Sequence, residues 1–573
     1  MSYKNCRFEI MNCFRTRLSS TEMMYAIVPV ADLLLEAKKN SSGIEDAVED
    51  ILNKSKDMDE REKYLIRNIA KKYITMDAWD ELKEITKKYS ENDFEEVILS
   101  TDVDAYEKSG KEGNYTSPQS LVDLTKALLE IKYSDNVAVL CCGNGDSIVN
   151  MAESVPGANY YGVDINSEAV TCAMIKARIT KAHVEIEQKD VFTIEENKKF
   201  NSVFCDSLIA QRIATMGAGK EYFDKKSYEM QALAHVRVAD WLYGTKCFDL
   251  LSKDGKAAVI MTSGLWNSED QLIRELYVTN GYVNAVITLP NTLFAGQMVK
   301  SNIVILSKSD NKRHGVYMVD ASECCVKGRR INTFSEENIA DIVEACKSDD
   351  SKLGRFVSQR ELSENSFSLV PSRYLTETIE IENGRPFSSV IKNITRGAHI
   401  AAAELDKMTS YEQTDYHYLM LSNIQNGIVD ESLPYLKEIR ESDEKYCITD
   451  GNLLISKNGE PYKIAVANNM GGKKVLANGN LYVIEVDCSQ VNPYYLQAYF
   501  ESDQGRAQLH SITVGTTMRC IGVNDLKALI IPLPELEVQN RIADDYKGIQ
   551  EEVKYLNVRL QRAIDNLHHV MER

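Results

Sequence analysis

The central part of the chain constrains the fold most, because short apolar runs alternate with helical stretches between residues 137 and 307. This alternation is typical of a doubly wound sheet of parallel strands. Helical patterns at 168–180, 228–251 and 270–280 supply the crossovers that parallel strands require. The sequence therefore predicts an α/β domain with strands at 137–141, 160–163, 183–187, 202–205, 256–261, 283–288 and 303–306.

Other patterns flank this domain, and 573 residues are too many for a single core. Apolar residues at three- and four-residue spacing predict an N-terminal helical domain over 1–110, before the α/β domain over 111–375. An α+β domain follows over 376–536, with strands at 452–456, 463–467 and 481–486. The segment 537–573 predicts a long amphipathic helix, suited to a coiled coil, whose apolar positions include Ile542, Tyr546, Ile549, Val553, Leu556 and Leu560.

Composition excludes several classes of protein. No segment approaches the roughly 18 unbroken apolar residues of a membrane helix, which predicts no membrane contact. Charged residues interrupt the first twenty positions, unlike a secretory signal, so we expect a cytoplasmic protein. The thirteen cysteines include no CxxC pair, which indicates neither a metal site nor a disulfide framework.

The net charge of −18 argues at first against a nucleic-acid partner, because phosphate contacts require a basic face. Basic pairs nevertheless recur at 312–313, 329–330 and 473–474, so a local basic surface can exist. The simpler alternative is that each pair is ordinary solvated surface.

A glycine turn and two downstream acids indicate a nucleotide site. Gly143 and Gly145 follow the first predicted strand, where backbone amides can approach a ligand as a helix starts. Asp164 ends the second strand 21 residues after Gly143, a spacing suited to binding a ribose diol. Asp190 follows the third strand, where such folds bring a carboxylate to an adenine amino group. The alternative is that these residues serve only turn chemistry.

The order of segments over 114–375 resembles the N6-adenine DNA methylase family, the modification subunits of type I restriction-modification systems. The segments that carry this resemblance are 115–119 (YTSPQ), 289–294 (LPNTLF) and 317–322 (YMVDAS). The resemblance implies a Rossmann-like methyltransferase domain that binds S-adenosylmethionine. The residues it assigns to the cofactor are Thr116, Pro118, Gly143, Gly145, Asp164 and Asp190.

The catalytic motif of that family is Asn-Pro-Pro-aromatic after the fourth strand, and its ring stacks on a flipped base. This chain has Asp206-Ser207-Leu208-Ile209 there, so Asp206 is the candidate acceptor for the amine while the prolines and the ring are absent. The chain also has Val139-Leu140 where the family usually carries Asp-Pro.

Three functions follow from these features. The first is adenine-N6 methylation of DNA, and the second is a catalytically inactive relative that binds DNA as a regulatory or assembly subunit, for instance in phage defence. The third is a methyltransferase with a substrate other than DNA, which the C-terminal part disfavours.

The C-terminal third resembles the specificity subunits of the same systems, through 450–459 (DGNLLISKNG) and 530–539 (IIPLPELEVQ). This resemblance implies a target-recognition domain for double-stranded DNA over 376–536, followed by a dimerisation helix. One recognition domain with one helix is half of a two-domain specificity subunit, so we expect a homodimer or an assembly with other restriction-modification or defence subunits. Candidate DNA contacts are Lys457, Lys463, Lys473, Lys474, Thr516, Thr517 and Arg519, although each can equally be ordinary surface.

Overall fold

A computed structural model describes most of the chain. The described residues are 3–15, 17–39, 48–74, 76–100, 117–207, 211–294, 301–309, 313–329, 331–349, 351–375, 381, 383–430, 432–459, 461–468, 470–514 and 520–568. They form two compact units, Met1–Leu375 and Thr376–Arg573. The division into four domains stays a prediction. Within the described residues, no helix is both long and apolar enough to cross a bilayer.

The first unit begins with helices that pack around a shared apolar core. Local signals explain where two of them start: the Asp59 side chain accepts a bond from Glu62 N, and Ser90 forms a capping box with Asp93. Cys172 and Ile175 from a later helix complete this core, so the bundle packs against the α/β domain. The helices are α1 Tyr3–Phe14, α2 Ser20–Lys39, α3 Val48–Lys54, α4 Glu60–Tyr73, α5 Met76–Lys88 and α6 Glu91–Leu99.

A mixed sheet of nine strands in the described residues forms the centre of the unit, in the order β3-β2-β1-β4-β5-β7-β6-β8-β9. Its strands are β1 Asn136–Leu140, β2 Asn159–Asp164, β3 Val184–Gln188, β4 Phe200–Cys205, β5 Leu251–Met261, β6 Val283–Thr288, β7 Asn302–Ser307, β8 Gly315–Asp320 and β9 Gly354–Ser358. All seven predicted strands are present, and the α/β fold class is confirmed.

Two strands differ from the prediction of a parallel sheet. Strand β7 runs antiparallel to β5 and β6, and β9 runs antiparallel to β8. Parallel neighbours need a crossover of a dozen or more residues, usually helical, whereas antiparallel neighbours need only a turn. The segment from Thr288 to Asn302 is short and contains Pro290, which disfavours such a helix and suits a strand that returns beside β6.

Apolar cores lie on the two faces of the sheet, covered by the helices between the strands. The helix predicted at 228–251 is wrong in its bounds: the segment 230–239 separates two helices and contains only a short 3-10 helix, Gln231–Leu233. Leu233 and Val236 are buried in the core there. The helices are α7 Gln119–Leu129, α8 Asp146–Ser154, α9 Ser167–Thr180, α10 Gly217–Glu229, α11 Asp240–Leu250, α12 Gln271–Thr279, α13 Glu336–Ala345, α14 Gln359–Glu364 and α15 Ser372–Leu375.

The second unit is α+β, as predicted, with sheets in the orders β11-β21-β18-β19 and β12-β16-β13-β20-β17. Its strands are β10 Gly384–Pro386, β11 Ile391–Arg396, β12 Thr409–Ser410, β13 Tyr416–Leu419, β14 Ile424–Gln425, β15 Ile428–Val429, β16 Tyr435–Leu436, β17 Cys447–Ile448, β18 Leu453–Ser456, β19 Ile464–Val466, β20 Lys474–Ala477, β21 Leu481–Val486, β22 Thr513–Val514, β23 Cys520–Ile521 and β24 Ile530–Pro532. Its helices are α16 Ala402–Met408, α17 Pro493–Glu501, α18 Asp503–Ser511, α19 Val523–Ala528 and the long α20 Leu536–His568.

Candidate active site

The turn after β1 lies where the carboxyl ends of four parallel strands meet, because β1 pairs with β2 and β4 while β2 pairs with β3. Gly143 has φ +53° and Gly145 has φ +86°, backbone angles that residues with a side chain rarely adopt. A Cβ on Gly145 would lie 2.6 Å from the Ala173 Cβ, whereas a Cβ on Gly143 would have no protein atom within 4 Å. The turn therefore packs tightly against α9 on one side and leaves open space beside Gly143.

Asp164 holds this turn directly. Its Oδ2 accepts a hydrogen bond of 3.0 Å from the Gly143 N–H, and its Oδ1 accepts one of 2.9 Å from the Asn166 N–H. Burial raises the pKa of the carboxyl, and the N–H groups that bond to it oppose that rise. A carboxylate has about four acceptor positions, so these N–H groups do not occupy all of them. Gly143 and Asp164, which the sequence analysis assigned to one nucleotide site, are therefore in contact.

Asp190 lies two residues after β3, where it caps a short turn. Its side chain accepts a bond of 2.9 Å from the Phe192 N–H. Below this turn, the buried Lys246 of α11 donates a bond of 2.6 Å to the Ile194 carbonyl. The turn that carries Asp190 is thus tied to the core.

Asp206 directly follows β4 at the same edge of the sheet. Its Oδ2 accepts a hydrogen bond from the Ser117 hydroxyl, while its Oδ1 is buried and has no hydrogen-bond partner in the described part of the chain. Burial raises the pKa of this carboxyl to about 7, and the bond from Ser117 opposes the rise. The site therefore contains one carboxylate oxygen with an unused bonding position.

Two features of this edge were missed by sequence reasoning. Ile165 follows Asp164 and its side chain is 68% exposed, an unusual position for an aliphatic residue beside a glycine turn. Under the turn, the buried Lys176 of α9 forms an ion pair with Asp146, the first residue of α8. An apolar residue directly after the strand-ending acid was a usable sequence signal for Ile165, but no local pattern links Lys176 to Asp146.

Of the two remaining cofactor candidates, the structure describes Pro118 but not Thr116. Pro118 precedes α7 as its N-cap residue, directly after Ser117. Thr116 lies outside the described residues. The segment that resembles the family's cofactor-contacting element therefore reaches the same edge of the sheet through Ser117, which was not among the candidates.

The candidate DNA contacts are in different environments. Lys463 donates to the carbonyls of Leu421 and Ile424 at 2.7 and 2.8 Å, so its ammonium group is hydrogen-bonded to the protein's own backbone. Lys474 pairs with Glu444. Lys473 is exposed and Lys457 is half-buried. Thr516, Thr517 and Arg519 lie outside the described residues.

Lys473 also lines a cleft of about 690 Å³ in the second unit. Lys547 and Lys554 of α20 line the same cleft, and Lys547 lies 4.3 Å from the centre of the Tyr494 ring. Asp430 and Glu551 also line it, so the cleft has mixed charge.

The mixed sheet, the glycine turn and the acid that holds it define an α/β methyltransferase fold joined to a second, α+β unit. The chain belongs to the N-6 DNA methylase family, whose model matches residues 47–383. A second model, the type I restriction modification DNA specificity domain, matches residues 398–552. Both resemblances derived from the sequence are confirmed.

Curated relatives agree with this assignment. The methylase subunit of the type I restriction enzyme MpnII from Mycoplasma pneumoniae is 25% identical over 325 residues, which cover 51% of this chain and 60% of that protein. The MjaVII methylase subunit from Methanocaldococcus jannaschii is 24% identical over 344 residues, 54% of this chain and 59% of the relative. The chain thus spans about 60% of the length of these relatives.

In the solved structures, a type I restriction-modification methyltransferase subunit from Streptococcus thermophilus superposes with a TM-score of 0.50 at 16% identity. The superposition covers 64% of this chain and 98% of that subunit. At this identity, the likeness shows the fold.

Proposed function

We propose that this protein is a restriction-modification DNA methyltransferase that transfers a methyl group from S-adenosylmethionine to adenine N6. The observation that carries this proposal is the bond of 3.0 Å between Gly143 N–H and Asp164 Oδ2 at the carboxyl ends of the strands. In open α/β sheets, ligands bind in the crevice outside these ends, and family membership indicates which ligand this is.

The residues at this edge fit the cofactor. The open space beside Gly143 accepts the close approach of a ligand, and Asp164 retains acceptor positions for ribose hydroxyls. The exposed Ile165 offers an apolar surface to the adenine ring, and Asp190 lies one strand further along. Thr116 and Pro118 remain candidates for the methionine end. The bound cofactor supplies the methyl group.

Asp206 performs the chemistry in this proposal. Its unpartnered Oδ1 accepts a hydrogen bond from the amino group of a flipped adenine. That bond directs the nitrogen lone pair towards the methyl group, and the carboxylate then takes the proton that the amine loses. The reaction needs the proton-free carboxylate. Because burial raises the pKa of Asp206 to about 7, this form becomes the minor one as the pH falls below that value.

Calorimetry with S-adenosylmethionine tests the cofactor site. We expect binding by the parent protein and loss of most affinity in Asp164→Ala, because that change releases the Gly143 turn and removes the ribose acceptor. Glu185→Gln is the matched control, since Glu185 is an exposed acid on the adjacent strand β3. Absence of binding by the parent protein contradicts the enzymatic proposal.

Tritium transfer from labelled cofactor to DNA without adenine methylation tests the reaction. Asp206→Ala should abolish transfer, because no acceptor for the amine remains. Asp206→Asn should lower transfer and remove the dependence of the rate on the ionisation of Asp206, because the amide keeps an acceptor oxygen but does not take up the proton. Transfer by Asp206→Ala at the parent rate would remove Asp206 from the mechanism.

A second candidate function is an inactive relative that binds DNA as a regulatory or assembly subunit. The observation in its favour is Asp206-Ser207-Leu208-Ile209, which lacks the prolines and the stacking ring. Stacking on an aromatic ring contributes about 1–3 kcal/mol per base, so its loss weakens the flipped state by one to two powers of ten. Cofactor binding without methyl transfer to any DNA favours this second function.

We also propose a homodimer through α20. Ile549, Leu556, Leu560 and Leu567 follow heptad spacing on this helix, and each is at least half exposed. A second copy of this chain is the matching partner, because the same stripe repeats on it and one recognition domain corresponds to one half-site.

Light scattering during size-exclusion chromatography tests the dimer. Leu556→Lys should yield monomers, since it places a charge in the stripe. Val558→Lys should not, because Val558 is an exposed apolar residue off the stripe. Equal behaviour of the two variants argues against this interface.

A further inference from the structure

Ser117 and Asp206 are joined across the sheet edge, although 89 positions separate them in the sequence. Ser117 lies just before α7, and Asp206 lies directly after β4. The Ser117 hydroxyl donates to Oδ2, so the two oxygens of the Asp206 carboxyl have different roles. One oxygen is held by the protein, and the other is buried without a partner among the described residues.

We propose that Ser117 is a positioning residue that holds the Asp206 carboxyl so that Oδ1 faces the target amine. This inference rests on the proposed methyltransferase function and adds a residue to it. The held oxygen fixes the rotation of the carboxyl group about its terminal bond, which otherwise has a broad distribution.

The departure from the family motif explains why such a residue is needed. Two prolines after the acceptor restrict the backbone in the usual motif. In this chain Ser207 and Leu208 occupy those places, and neither side chain restricts φ as proline does. A hydrogen bond from a separate segment supplies part of the missing restraint, because it anchors the side chain itself.

The same bond lowers the proton affinity of Asp206, against the larger effect of burial, which raises its pKa. The titratable groups of the described residues that face it are the thiols of Cys141 and Cys205. A hydrogen bond with Cys205 and burial raise the pKa of Cys141 well above its usual range. For Cys205, the bond with Cys141 lowers the pKa, but contact with Cys247 and burial raise it by more. Both thiols stay protonated, so the Ser117 hydroxyl is the group that favours the carboxylate.

Removal of the hydroxyl therefore raises the pKa of Asp206 further. One lost hydrogen bond to a charged group corresponds to a rise of about one pH unit. From a pKa of about 7, this rise lowers the proton-free fraction at neutral pH about fivefold. The loss disappears in alkaline solution, where Asp206 is ionised in both proteins.

The test is a pH profile of single-turnover methyl transfer by the full chain. Ser117→Ala should move the rising limb about one pH unit towards alkaline pH, and Ser117→Thr should restore it because threonine keeps the hydroxyl. Ser120→Ala is the matched control, since its buried hydroxyl, three residues away, has no partner among the described residues. A uniform loss at all pH values, or no change, overturns the proposal.

A second readout does not depend on activity. The infrared band of the protonated carboxyl, isolated by subtracting the spectrum of Asp206→Asn, can be titrated from about pH 5 to about pH 9. A higher midpoint in Ser117→Ala supports the positioning role even if the parent protein transfers no methyl group, in which case only the proposed function fails. An unchanged midpoint in a folded Ser117→Ala protein overturns the proposal.

Discussion

Single residues decide whether the turn after β1 can form, and its two glycines have different neighbours. Gly145→Ala combines a left-handed φ with a contact of 2.6 Å to Ala173, so it should destabilise the fold by several kcal/mol. Gly143→Ala has the same kind of backbone strain, about 1–2 kcal/mol, but no protein atom opposes its Cβ.

We therefore expect Gly145→Ala to lower the thermal unfolding midpoint more than Gly143→Ala. Gly143→Ala should mainly reduce affinity for S-adenosylmethionine, because its Cβ enters the open space proposed for the cofactor. Thermal scans and calorimetry on both variants check this contrast. Equal midpoints for the two variants contradict the packing argument.

At the scale of elements, Lys246 connects helix α11 to the turn that carries Asp190. Burial lowers the pKa of its ammonium group, which donates to the Ile194 carbonyl at 2.6 Å. Lys246→Met keeps the length of the side chain but leaves that carbonyl unpaired. We expect about tenfold weaker cofactor binding, equivalent to about 1.4 kcal/mol, because the turn that carries Asp190 loses its hydrogen bond to α11.

Calorimetry of Lys246→Met beside Lys225→Met measures this effect. Lys225 and Lys246 both line a surface cleft beside the Asp190 turn, but Lys225 is exposed, so its change should leave cofactor affinity intact. If both variants bind S-adenosylmethionine like the parent, α11 does not support the site.

Another connection joins helix α9 to the N-terminal bundle through one arginine. Arg178 donates to both oxygens of Asp32 at 2.7 Å and to Glu62 at 2.9 Å, and Asp32 is fully buried. Removal of one partner of a buried ion pair typically costs about 3–5 kcal/mol, because the other charge remains without compensation.

We predict that Arg178→Gln lowers the thermal unfolding midpoint by several degrees, as scanning calorimetry can measure. The matched control is Arg67→Gln, whose pair with Glu49 is partly exposed and should contribute less than about 1 kcal/mol. A shift of similar size in both variants would show that burial does not determine the contribution of Arg178.

At the scale of the whole molecule, a net charge of −18 has to be reconciled with a DNA partner. An acidic protein can bind DNA only through a local basic surface, so the affinity should depend steeply on salt. For about six phosphate contacts, we expect roughly a thousandfold loss between about 50 and 200 mM salt. Fluorescence anisotropy with duplex DNA over a salt series measures this slope.

Variants of two lysines distinguish an effect on DNA binding from an effect on the stability of the fold. Lys473→Gln should reduce the slope by about one, because Lys473 is exposed. Lys463→Gln should instead lower the unfolding midpoint, because Lys463 holds the carbonyls of Leu421 and Ile424. Affinity that does not change with salt argues against a DNA partner.

The sequence by itself determined the α/β class, all seven predicted strand positions, the long C-terminal helix and the pairing of Gly143 with Asp164. These features are local: apolar periodicity, turn residues and a spacing of 21 positions are readable in one dimension. Both family resemblances also depend on the order of short motifs, which needs no three-dimensional information.

Only the tertiary structure decided the antiparallel direction of β7 and β9, the break between α10 and α11, and the partners of buried charges. Ser117 meets Asp206, and Lys176 meets Asp146, only because packing of the sheet and helices brings distant segments together. Burial also changes the proton affinity of Asp206, and burial is a property of the assembled core. The sequence therefore predicted which acid follows β4, whereas folding determined what that acid contacts.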